Sequence, residues 1–190
     1  IKEVFMRFCL TFFLLFSITL FAQNFFPINT GDKYQFKLIE SHDGPGISWE
    51  HTTYNKSIVS EVNTLGHTYY LYKGGLFRYD SLSLKLYRVV NNSEKLAYDF
   101  NKQANETDTL YITGTARLFT YQADYTTNLW GANRLVKSAH WEYQSIGSET
   151  GEVRFIDGIG IYDIYKYYLI VGNTYDVTKD ILISAIIDSS

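Results

Sequence analysis

Arg78–Phe100 reads RYDSLSLKLYRVVNNSEKLAYDF, three short runs of alternating apolar and polar residues. The separators, SLS (Ser81–Ser83) and NNS (Asn91–Ser93), are small and polar. Alternation with a period of two places successive side chains on opposite faces of an extended strand. Connections of a few residues bring antiparallel neighbours together, so this stretch predicts a meander. In its last run Leu96, Tyr98 and Phe100 share one face, and Ala97 and Asp99 share the other. Asp99 therefore stands at a strand end, where its carboxylate can cap backbone N–H groups in an Asx-type turn.

The same pattern extends in both directions. Upstream lie KYQFKL (Lys33–Leu38), a long polar run over 48–62, HTYYLYK, and a turn at Gly74-Gly75 into LFRYD. Downstream come TLYIT, ARLFTYQADY, RLVKSAHWEYQS, EVRFID and IYDIYKYYLIV, and finally DILISAII, apolar on both faces and expected at a central position. Helical periodicity is nearly absent, so the sequence predicts an all-β fold of about ten antiparallel strands in a single domain over 23–190. A strongly curved meander, a barrel and a sandwich all satisfy this pattern.

Residues 1–22 are set apart from this domain. IKEV precedes Met6, and FCLTFFLLFSITLFA (Phe8–Ala22) follows Arg7 as an apolar run of 15 residues. That is shorter than the roughly 20 residues of a spanning helix, so a cleaved secretory signal is expected, with the cut near Ala22-Gln23. Removal takes Lys2 and Arg7 from 17 basic residues and Glu3 from 20 acidic ones, leaving 15 and 19. It also takes Cys9, the only cysteine, so export without disulfides is expected. The mildly acidic balance carries no electrostatic footprint for nucleic acid. Three Asn-x-Ser/Thr matches, at Asn55, Asn91 and Asn105, carry no argument by themselves.

Four segments occur in order along the chain: FPINTGDKYQFKL, KLYRVV, EKLAYDF and FIDGIGIYD. Together they resemble a β-rich N-terminal domain of exported Bacteroidetes proteins, many of which leave by type IX secretion. Phe26, Pro27, Gly31, Asp32 and Tyr34 match its opening motif, and Lys85, Leu86 and Tyr87 its second. Leu96, Tyr98, Asp99 and Phe100 match the third, with Ala97 where leucine is commoner. Asp157, Gly158, Ile159 and Gly160 match the last, with aspartate for glutamate. Thr107-Asp108-Thr109 lacks the glycine of the usual following turn, and no sorting domain lies within the 190 residues. The resemblance implies a secreted, periplasmic or surface location and no general activity.

Candidate chemistry is sparse. His140 and Glu142 alternate on one strand face, and a solvated face is the expectation for them. Glu50 and His51 beside Trp49 face opposite sides, and Glu149, Glu152 and Asp157 offer at most a glycosidase-like carboxylate pair. Asp43 with Gly44 and Gly46 has too few acids for a calcium loop, and His42, His51 and His67 lack ligand spacing. No metal, cofactor or catalytic residue is assigned. The aromatic content of 17% is the unusual feature. Trp130, Trp141, Tyr165 and Tyr167 are the ligand-binding candidates, because exposed aromatic rings stack on sugars or cover a partner. The expected function is non-catalytic binding or surface assembly, with a surface polysaccharide or an envelope protein as partner. The alternatives are a lipocalin-like barrel holding a small apolar ligand and a remote carbohydrate-active enzyme.

Overall fold

A computed structural model describes residues 25–26, 29–144, 148–170 and 174–186. The apolar segment, Cys9, the cut at Ala22-Gln23, and Pro27 lie outside the described residues. The chain forms fourteen strands rather than about ten, and no helix among the described residues. They are β1 (Lys33–Gly44), β2 (Ile47–Ile58), β3 (Ser60–Thr64), β4 (His67–Tyr72), β5 (Gly75–Asp80), β6 (Lys85–Val90) and β7 (Ser93–Asp99). There follow β8 (Thr107–Leu110), β9 (Arg117–Tyr121), β10 (Tyr125–Leu129), β11 (Ala132–Gln144), β12 (Ser148–Ile156), β13 (Gly160–Ile170) and β14 (Thr174–Ile186).

These strands make two sheets. The smaller is a pure meander, β3-β4-β5-β6-β7, and contains the whole of Arg78–Asp99. The larger runs β2-β1-β14-β13-β12-β11-β9-β8, with β10 also on β11. Every pairing is antiparallel. Each sheet ends in edge strands, so neither closes, and the barrel is not formed. β14 is central, between β1 and β13, as its composition predicts.

The extra strands arise where one continuous run divides in two. Residues 48–62 read as one strand, yet the chain leaves the larger sheet after Ile58 and enters the smaller at Ser60. Val59, fully buried, makes the crossing. Its N–H donates to the Asp32 carbonyl at 2.9 Å, and its carbonyl accepts from Gly31 N–H at 3.0 Å. Those bonds tie it to the segment before β1 instead of to a neighbouring strand. ARLFTYQADY is also interrupted, into β9 and the start of β10, but both of these strands pair with β11 in the larger sheet.

Four hairpins turn on two residues that both have positive φ: Leu65-Gly66, Lys73-Gly74, Asn91-Asn92 and Trp130-Gly131. This is the type I′ geometry whose twist matches paired strands. The second of these turns is thus Lys73-Gly74, one residue earlier than Gly74-Gly75, and Gly75 opens β5.

Aromatic rings fill the space between the sheets. Tyr72 of β4 meets Tyr34 and Phe36 of β1 edge-on, with centroids 5.1 and 5.9 Å apart. Tyr98 of β7 lies 4.4 Å from Phe155 of β12. Phe25 stacks on Phe100 at 4.9 Å, and Phe26 reaches Tyr72 and Phe77. The four sequence segments quoted above therefore supply packing: Phe26, Tyr34, Leu86, Tyr98, Phe100 and Ile159 all belong to one core cluster.

The meander carries its own polar clamp. Glu94 accepts two bonds from Arg78, at 2.8 and 2.9 Å, and one from the Tyr69 hydroxyl at 2.6 Å. Chiefly through Arg78, these donors hold the Glu94 carboxyl below its ordinary value of 4.5. A depressed folded-state pKa contributes stability above the unfolded value, and that contribution is lost as pH falls through the folded value. Glu94→Gln is therefore expected to flatten the acid limb of stability below about pH 4.5 and leave its slope near neutrality unchanged. Urea unfolding measured between pH 3 and 7 checks this; an unaltered acid limb refutes it.

Candidate functional site

Where the smaller sheet stops, the inner face of the larger sheet continues, leaving an open cleft of about 240 Å³. Its floor is Leu38 of β1, Ile161, Ile164 and Lys166 of β13, and Thr178 and Asp180 of β14. Its wall is Tyr72, Lys73, Phe77 and Arg88 of the smaller sheet, with Ile112 and Thr113 after β8. The floor follows from register. Lys166 pairs with Gly151 and Thr178, and Leu38 and Ile164 both pair with Asp180, so these alternate positions share the inner face. Apolar side chains line both sides, and the charges lie among them.

Three cations face a single carboxylate. Lys73, at the tip of the β4–β5 hairpin, bonds Asp180 across the gap and lies over the Phe36 ring at 3.9 Å. Desolvation by burial pushes its pKa below the ordinary value, opposed by Asp180. Arg88 donates to the Ile112 carbonyl and lies 5.2 Å from the Phe77 ring centroid. Burial alone lowers its pKa, yet a guanidinium remains charged. Among the described residues neither Arg88 nor Lys166 has a carboxylate partner. The Tyr72 hydroxyl is fully buried with no hydrogen-bond partner among the described residues, and desolvation holds its pKa well above the usual range, so it stays a neutral donor. One oxygen of Asp180 is likewise buried and unpartnered. A half-buried guanidinium, an ammonium and an unused hydroxyl around an apolar floor suit an anionic group carrying a short apolar body.

The residues singled out in the sequence lie elsewhere. Trp141 is buried, packed on Phe119 at 5.0 Å and over Gly151, so it is a core side chain and not a ligand platform. Trp130 is 53% exposed, but it occupies a hairpin turn at the far end of β11. Tyr165 and Tyr167 alternate with Lys166 and so face outward; Lys179 lies over Tyr165 at 5.4 Å and Tyr175 stacks on Tyr167 at 5.4 Å.

The acids do not converge either. Glu149 pairs with Arg117 at 2.9 Å on the inner face, Glu152 lies 4.0 Å from Arg154 on the outer face, and Asp157 belongs to the β12–β13 turn. No carboxylate pair spans the cleft. His140 is exposed beside Gln122, and Asp43 accepts from the Tyr175 hydroxyl at 2.5 Å. No group of three His, Cys, Asp or Glu able to hold a metal occurs among the described residues.

The cleft residues went unmarked because each sits inside an ordinary strand run: Arg88 in KLYRVV and Lys166 in IYDIYKYY. One signal was present. A lysine between two tyrosines on an alternating strand must face the side they do not. No family model, no curated protein and no solved structure matches the chain.

Proposed function

We propose that this chain is an exported, non-catalytic binding domain that acts outside the cytoplasm and holds a small carboxylate-bearing ligand in the cleft between its sheets. The observation that carries this reading is the excess of cations among apolar walls, with Arg88 and Lys166 lacking carboxylate partners among the described residues. The ligand's anionic head bonds Arg88 and Lys166, and its apolar body lies on Leu38, Ile161 and Ile164. Export is supported by the apolar segment Phe8–Ala22 and by the resemblance of four segments to exported domains.

Octanoate and 1-octanol have tails of the same length and differ in the charged head. Titration calorimetry is expected to show octanoate binding at least about tenfold more tightly than the alcohol, since a hydrogen bond to a charged group contributes about 1.5–3 kcal/mol. Arg88→Met removes the guanidinium that lies over Phe77 and bonds the Ile112 carbonyl, and should cut that preference severalfold, Lys166 retaining the remainder. Equal affinity for acid and alcohol, or no uptake of either, would refute the reading.

A further inference from the structure

β2 is the outermost strand of the larger sheet, and its second edge faces no described strand. It is twelve residues long, ISWEHTTYNKSI, and runs against β1 without a register shift. It contains no proline and one lysine. Ile47, Trp49, Tyr54 and Ile58 are each about half or more exposed. Long, regular edges that carry exposed apolar side chains invite another strand, and proteins ordinarily blunt them with proline, bulges or repeated charge. The other terminal strands differ: β3 has five residues, β8 has four, and β7 carries a register shift.

We propose that β2 pairs antiparallel with β2 of a second copy of this chain, about a two-fold axis at Thr53. A two-fold axis normal to a sheet keeps each side chain on its own face. Only registers centred on a residue therefore preserve the pleat. Centred on Thr53, Glu50 of each copy stands opposite Lys56 of the other, giving two symmetric ion pairs. Thr52 then meets Tyr54, and Thr53 meets itself, both favourable cross-strand pairings. Centred on Thr52, Glu50 would meet Tyr54 and Lys56 would meet Ser48. Centred on Tyr54, Glu50 would meet Ile58. Only the Thr53 register satisfies both charges. Within one copy, Glu50 and Lys56 are exposed and have no ion-pair partner among the described residues.

Sedimentation equilibrium of the purified exported chain over a range of concentrations tests the pairing. Wild type is expected to be a reversible dimer. Glu50→Lys or Lys56→Glu alone sets like charges opposite each other twice and should weaken the dimer by about tenfold or more. Glu50→Lys combined with Lys56→Glu restores opposite charges in the same register and should restore the dimer. A wild type that is monomeric throughout overturns the proposal. So does a dimer indifferent to the single reversals, or one weakened by them and not rescued by the exchange.

Discussion

Gly151→Ala should lower the stability of the domain by about 3 kcal/mol, or prevent folding altogether. Register sets Gly151 directly across from Trp141, whose indole lies over the missing side chain. A Cβ added there would stand 2.1 and 2.3 Å from two indole carbons and 2.5 Å from the Tyr165 carbonyl oxygen. The indole has nowhere to retreat, since it is buried against Phe119. The carbonyl belongs to the middle of β13 and is held by the ladder. Even one methyl group therefore forces strands apart at the centre of the larger sheet. Chemical denaturation of the variant checks this, and an unchanged midpoint refutes it. Glycine inside a strand usually weakens it, and here the ring that covers the gap is what makes glycine necessary.

Phe100→Ala should cost about 3–5 kcal/mol, whereas its neighbour Asp99→Asn should cost about 1 kcal/mol or less. Phe100 lies against Phe25, Tyr79, Tyr98 and Phe155, bridging the two sheets and the N-terminal segment. Removing the ring leaves a cavity that four separate elements would have to close. Asp99 is also buried, but its work is local: it accepts from the Asn101 N–H and side-chain amide at 3.0 Å, with Lys85 at 3.4 Å. Asparagine keeps an acceptor for the turn and loses only the partly exposed lysine. Urea unfolding with a constant slope separates the two variants. Equal, small losses would refute the assignment.

That contrast shows what the residues disclosed and what they concealed. Asp99 as the cap of a strand end and Phe100 as core follow from alternation and turn chemistry, both local. The one error there is also local: a register shift at Leu86/Tyr87 brings Ala97 inward with Tyr98, so the strand does not alternate cleanly to its end. The division into two sheets is different in kind. Nothing near Val59 resembles a turn, and the crossing is specified by Gly31 and Asp32, almost thirty residues earlier. Trp141 looked like a ligand platform because its cover, Phe119 and β9, lies across a strand pairing that no local pattern reports. The cleft was hidden for the same reason. Its charges come from β4–β5, β6, β13 and β14 and meet only when the sheets pack.

The pairing of β1 with β14 also constrains when the chain can fold. Lys33 is the partner of Ile186, so the first and last strands of the domain pair with each other inside the larger sheet. The meander β3–β7, by contrast, is built from neighbours in sequence and can form as soon as its residues emerge. A chain still being synthesised thus holds one early sheet and one unfinished sheet, because β1 has no partner on that side until the last strand arrives. Loop closure over such a separation is slow compared with hairpin formation. That ordering makes the larger sheet the last part of the fold to be completed, after a smaller sheet that needs nothing from the C-terminal half.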